Sequence, residues 1–296
     1  MKKSIIIATT LFTILIMSGC SLNDSKNKAE EQKPAIIQDK QINKDYSIKN
    51  QNVYYHEYIL EGVNAENFRI VGGNYVTDGN LVFHRNNIIK DANANNISAL
   101  EGTEFATDGS FVYHPQYPDG GVASIELDSD SEEEFQIIGR VFAKYKDTIY
   151  CGAWPLEESD AETFQTISQF YAKDSSNIYT ATCNIVNNID PSTAEVISES
   201  GQFAYIKDKN KVFYLDNQIE GANPEYFVVL GEGYYVADDS NIYYSDQEHT
   251  NIKLENTDLN EFEVLNTPYA RDISGDYYKA GVKISEKDYN NHINKQ

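Results

Sequence analysis

The phrase "YIKDKNKVFY" at Tyr205 to Tyr214 returns as "YVADDSNIYY" at Tyr235 to Tyr244. Internal repetition constrains a fold more than composition does, because every copy must accept the same local structure. With Asp208 as anchor, one aromatic stands three residues before it and another five after it, and these offsets recur along the chain. The leading aromatics are Tyr46, Tyr75, Phe105, Phe142, Tyr171, Tyr205, Tyr235 and Tyr269. The trailing ones are Tyr54, Phe83, Tyr113, Tyr150, Tyr179, Phe213, Tyr243 and Tyr277. The anchor is Asp78, Asp108, Asp174, Asp208, Asp238 and Asp272, with Lys49 and Tyr145 in its place in units one and four. In a chain that is 12% aromatic, two unbroken aromatic columns are not coincidence.

A β-branched residue precedes the trailing aromatic in every unit but the last, where Asp276 stands. Such flanks suit a pleated, half-buried surface. The centres, "DKNK", "DDSN", "DSSN" and "DGN", carry the Asp, Asn and Gly that tight turns favour. Each phrase therefore predicts strand, turn, strand. An odd loop puts both aromatic columns on one face and an even loop puts them on opposite faces; the sequence leaves both open.

A second signature follows each phrase: Asn, Asp or Ser, then a bulky residue four places on and an aliphatic seven places on. "NAENFRIV" from Asn64, "DAETFQTI" from Asp160 and "NPEYFVVL" from Asn223 are examples, and "SEKDYNNH" from Ser285 lacks the aliphatic. The first residues are good helix N-caps. Pro191 and Pro224 sit where a first helical residue would be. Ser131 with Glu134 and Asp258 with Glu261 have capping-box spacing. The expectation is a mainly β repeat protein of eight hairpin-plus-capped-helical-turn units. Stacked neighbours bury faces that one unit cannot. A propeller-like ring and an open β-solenoid both satisfy the pattern, since closure removes sheet edges and a degraded eighth unit can cap an open array. Three longer stretches, after Tyr113, Tyr150 and Tyr244, read as loop insertions.

The ends give an address. "MKK" followed by "SIIIATTLFTILI" and "MSGC" has the form of a bacterial lipoprotein signal, residues 1–19, with Cys20 the lipidated residue. Residues 20–44 are polar and nearly free of aromatics, a flexible tether, and 45–296 form the repeat domain. The expected location is therefore a bacterial membrane surface, inner or outer, facing away from the cytoplasm. The 46 acidic residues against 24 basic ones argue against a nucleic-acid partner. Outside the cytoplasm disulfides persist, and Cys151 and Cys183 either pair or remain separate thiols.

The phrases "DKNKVFY", "DDSNIYY" and "DSSNIYT", with the "NPEYFVVL" turn, resemble the DKNYY family of bacterial envelope proteins over roughly Asp45 to the C-terminus. That resemblance implies the repeat and no particular activity, catalytic residue or cofactor.

Chemistry is sparse. The six anchor aspartates could be calcium ligands, but one Asp per turn falls short of the six to eight oxygens calcium takes; they read as turn caps. The position after the trailing aromatic holds His84, His114 and Cys151 in consecutive units, donors suited to zinc or copper; the plainer reading is a column of planar side chains at a rim. Carboxylates between Ser124 and Ser131 could serve an envelope hydrolase, or form a solvated loop. Tyr117 and Trp154, on two of the longer stretches, are candidate ligand contacts. The leading expectation is a membrane-anchored, non-catalytic binding or scaffold domain with no cofactor and an unidentified protein or carbohydrate partner. A metal-handling lipoprotein and an envelope hydrolase are the alternatives.

Overall fold

Each aromatic phrase folds as an antiparallel hairpin. In unit seven the strands Tyr235–Ala237 and Ile242–Tyr244 pair with Tyr235 opposite Tyr244, Val236 opposite Tyr243 and Ala237 opposite Ile242. Directly opposed residues project from the same face of a sheet. The loop is thus even, and the two aromatic columns lie on opposite faces. The leading aromatic shares its face with the residue one beyond the trailing aromatic: Tyr205 packs on Tyr214, and Tyr75 on His84.

In the computed structural model, the described residues are 38–293 apart from 117–119, 130–133, 201–202, 247, 250, 255–256 and 258–261. They belong to one compact unit, Ile37–Gln296. Every hairpin is the centre of a small antiparallel meander, giving eight sheets in chain order. Seven have four strands; the fifth has three, supplemented by a bridge between Tyr179 and Ile185.

Four expectations are corrected. The capped segment is one turn and not a helical one: Asn64 Oδ1 accepts the Glu66 amide, Asn64 O accepts the Asn67 amide at 3.2 Å, and the strand Arg69–Gly72 begins at once. The residues after the cap are β-branched and aromatic, so the chain extends, and the aliphatic position becomes part of the first strand. A true helix, Glu286–Ile293, forms where that aliphatic run is missing, capped by Ser285 Oγ on the Asp288 amide at 3.1 Å. Second, the longer stretches deliver fourth strands: Val122–Glu126, Trp154–Pro155 and Ile252–Leu254. Third, the first sheet starts inside the segment read as tether, with Lys40–Gln41 pairing against Tyr46–Lys49. Fourth, the eighth hairpin carries one extra loop residue. Ala270 opposes Tyr278, so Tyr278 and not Tyr277 is the trailing aromatic, and Asp276 lies in the turn.

The core is divided among the gaps between sheets. One buried cluster joins Tyr205, Tyr214 and Phe227 to Val236 and Tyr243; the next joins Tyr235, Ile242 and Tyr244 to Ala270 and Tyr278. The leading aromatic of each sheet thus packs toward the following unit and the trailing one toward the preceding unit. In units one to seven the even loop makes this possible, because it gives each sheet an aromatic for either side; in unit eight Tyr278 takes that place.

Candidate ligand-binding groove where the repeat is interrupted

The anchor aspartate is a structural hub. Asp174 Oδ1 accepts the amides of Ser176 and Asn177 at 2.7 Å each, closing the hairpin loop. Its Oδ2 accepts the amide of the cap residue Asp160 at 2.9 Å and the Tyr179 hydroxyl at 2.7 Å. Asp108 and Asp238 repeat the whole set with Asn93 and Tyr113, and with Asn223 and Tyr243. Asp78 and Asp208 hold their loops and the cap amides of Asn64 and Asp190. Asp272 accepts the Asp276 amide and the Tyr278 hydroxyl. These oxygens face donors of their own chain, which is a turn cap and not a cation cage. Units one and four, lacking Asp, close with the two-residue loops Asn50–Gln51 and Lys146–Asp147, and in unit four the Tyr145 hydroxyl accepts the Asp128 amide instead.

Burial alone would raise these carboxyls. Amide and hydroxyl donors outweigh it and hold Asp78, Asp108, Asp174, Asp238 and Asp272 below the ordinary carboxylate value. Burial also pushes His84 down to about 4, helped by the neighbouring Arg85 charge. A depressed histidine favours the folded state above its ordinary value of about 6.5 and loses that advantage as pH falls toward 4. The depressed carboxylates contribute above about pH 3.9 and lose it below. The expected melting temperature therefore declines gently below pH 6.5 and steeply below 4 (orders set by those reference values). A His84→Phe variant should lack part of the gentle limb, the rest coming from the similarly depressed His114; an unchanged limb would refute the assignment.

The leading tyrosines tie each unit to the next. The hydroxyls of Tyr46, Tyr75, Tyr171, Tyr205 and Tyr235 donate to the carbonyls of Asn74, Glu104, Ala204, Gly233 and Pro268. Units three and four have Phe105 and Phe142 at this position and cannot make the bond. There the stack is joined by other means. Arg140 pairs with Glu104 at 2.6 Å, and Cys151 Sγ is bonded to Cys183 Sγ at 2.08 Å, linking unit four to unit five.

A groove of about 290 Å³ opens at this interruption. Trp154 and Gly152 come from unit four, His114 and Gln116 from unit three and Thr182 from unit five, with the disulfide alongside. Trp154 is 59% exposed, and its Nε1–H donates to Gln116 Oε1. Gln116 thereby fixes the indole while leaving much of it bare. Beneath lies His114, 6% exposed and packed on Phe105 with ring centroids 4.7 Å apart. Burial lowers its affinity for a proton, although the Glu104 charge and the Pro115 carbonyl oppose this. Neither imidazole nitrogen reaches a partner in hydrogen-bonding geometry, the nearby Pro115 carbonyl included. Gly152 makes room for the ring: it has φ +61°, and a Cβ there would lie 2.8 Å from His114 Nδ1.

The donor set His84, His114 and Cys151 is not assembled. The Cys151 sulfur is committed to Cys183, the two imidazoles pack on aromatic rings, and among the described residues no three His, Cys, Asp or Glu side chains gather as a metal site. Of the carboxylates between Ser124 and Ser131, Glu126 on its strand and Asp128, which pairs with Lys146 at 3.2 Å, line one shallow pocket with Leu127 and Ser129, while Asp130 falls outside the described residues. Trp154 sits on a strand and not in a loop. Cys20, Tyr117 and Ser131 fall outside the described residues. Sequence reasoning missed Gln116, Glu104 and Thr182. The signal for Gln116 was available: it lies two past His114, as Trp154 lies three past Cys151, and these are adjacent members of one column.

No curated protein and no solved structure matches the chain. The family model described as "DKNYY family" matches residues 17–117 and 171–294, and the stretch between the two matches contains Phe142, Cys151 and Trp154. With most of its length matched on both sides of that interruption, the chain belongs to the DKNYY family.

Proposed function

We propose that this DKNYY-family chain is a lipid-tethered envelope protein whose repeat domain binds a ligand without transforming it. The observation that carries the reading is the contrast between the repeat and its interruption. The anchor carboxylates are occupied by turn and cap donors, whereas the groove at unit four leaves a bare indole beside an imidazole lacking hydrogen-bond partners. Among the described residues no helix is long and apolar enough to cross a membrane. In this reading the attachment is the lipid on Cys20. Its replacement in Cys20→Ala is expected to abolish incorporation of labelled palmitate and to move the protein from the membrane to the soluble fraction. Retention of both label and membrane association would defeat the tether.

The repeat is an open array in this reading. Tyr269, whose counterparts pack toward a following unit, is covered by Tyr289 and His292 of the C-terminal helix. At the other end Tyr54 is half-buried with Lys49 above its ring. An open stack of nearest-neighbour contacts frays from its termini. Amide exchange should rise toward units one and eight; uniform protection around all eight would indicate a closed ring.

A further inference from the structure

We propose, resting on the binding reading above, that the groove of Trp154, Gln116 and His114 is a saccharide site for one or two neutral sugar rings. Its chemistry is mixed in the way a sugar requires. A pyranose offers an apolar C–H face and a rim of hydroxyls that both donate and accept. The exposed indole matches the first, and its position is fixed by Gln116. Gln116 and Thr182 line the same space. Gln116 Nε2 keeps a second hydrogen beyond its 3.5 Å bond to the His114 carbonyl, and the Thr182 hydroxyl keeps a lone pair beyond its 2.8 Å contact with Thr180 Oγ1; these match the second. His114 adds an imidazole whose nitrogens lack partners, an arrangement costly for a buried polar group. Those nitrogens are themselves buried, so His114 shapes the groove floor and does not itself meet a ligand hydroxyl.

Charge selects among ligands. Glu104 is the acidic group at the rim, and Arg140 neutralises it through a 2.6 Å contact. His114 is held toward its neutral form by burial. The groove itself thus carries little net charge, while the chain around it carries a formal −22, which disfavours phosphorylated or otherwise anionic ligands. At about 290 Å³ the space lies at the lower end for ligand pockets. It suits one or two rings and not a folded partner. Its rigidity is also built in. The groove walls come from three successive units, and the Cys151–Cys183 bond holds the fourth to the fifth.

Trp154 is the chain's one tryptophan, so its fluorescence reports this site alone. The test is a titration of the full chain, in a detergent without sugar headgroups, with glucose, N-acetylglucosamine, cellobiose and di-N-acetylchitobiose. A saturable emission shift with at least one of them is expected. Calorimetry with that sugar should show affinity reduced at least tenfold in Trp154→Ala and severalfold in Gln116→Ala, both surface changes that leave the repeat core intact. Silence from every sugar at millimolar concentration overturns the saccharide assignment, and undiminished affinity in Trp154→Ala overturns its location. If a solubilised peptide fraction of the envelope shifts the emission while sugars do not, the saccharide class falls and the binding reading survives. If neither does, both fall.

Discussion

Replacing Tyr243 with alanine is expected to lower the unfolding free energy by about 3–5 kcal/mol, the cost of emptying a fully buried aromatic site. Tyr243 is 1% exposed and lies in the cluster that joins units six and seven, with Tyr205, Tyr214, Phe227 and Val236 around it. The ring fills a gap between two sheets that are each held by their own ladder, so neither can collapse into the space without breaking register. The hydroxyl is a smaller part of the effect. It donates to Asp238 Oδ2 at 3.2 Å, and Tyr243→Phe should cost about 1 kcal/mol. Burial and the Asp238 charge push this phenol up to about 12. Since folding favours its protonated form, its contribution holds below the ordinary value near 10 and fades as pH rises from there toward 12. Urea unfolding at neutral pH measures the first two quantities, and phenolate absorbance during alkaline unfolding measures the third. A loss near zero in Tyr243→Ala would move the column out of the core and undo the stacking scheme.

What could be read in advance follows from range. The hairpins were legible because their signals are local: aromatic and β-branched flanks, and an Asp whose carboxylate bonds amides two and three residues on. The face assignment was not, because it depends on loop parity, and the same turn residues serve even and odd loops. Unit eight shows how little separates the cases. One added residue before Tyr277 leaves a well-formed hairpin but moves the buried position to Tyr278. Fourth strands such as Trp154–Pro155 and Asn217–Gln218 span two residues, too few for any periodicity, and they exist because a paired neighbour supplies the ladder. The cap residues were legible as caps, yet a cap only satisfies the first amides; the extended run behind it decided against a helix. The groove depends on stacking. His114, Trp154 and Thr182 are far apart in sequence and meet because three units superpose. The repeat columns hinted at this for His114 and Cys151, while Thr182 stands two residues past its column member Thr180.

Cys151→Ala with Cys183→Ala, made together, is expected to destabilise the domain by about 3–4 kcal/mol, the loop-closure value for a separation of 32 residues. The location makes the consequence more than a uniform loss. In a stack of repeats, stability is the sum of unit terms and nearest-neighbour interface terms, so a weak interface can split one transition into two. The interface between units four and five lacks the tyrosine tie, because Phe142 has no hydroxyl to give, and unit four also lacks the anchor Asp that elsewhere clamps loop to cap. What remains there is packing, through Phe142, Ala172 and Tyr179, two side-chain hydrogen bonds, Lys144 Nζ to the Ala161 carbonyl and Thr166 Oγ1 to the Ile138 carbonyl, and the disulfide. Without the bond, chemical unfolding should become biphasic, the units before and after the junction melting at different denaturant concentrations. Near-ultraviolet circular dichroism, rich in tyrosine signal, would follow both halves, while Trp154 fluorescence would report the junction itself. A single sharp transition at an unchanged midpoint would mean that packing and these hydrogen bonds carry this interface. Two transitions would mark it as the seam between two blocks of conventional repeats, at the place where the family match is also interrupted. The same disulfide would then be what keeps the groove walls in place, since His114 and Trp154 stand on one side of the seam and Thr182 on the other.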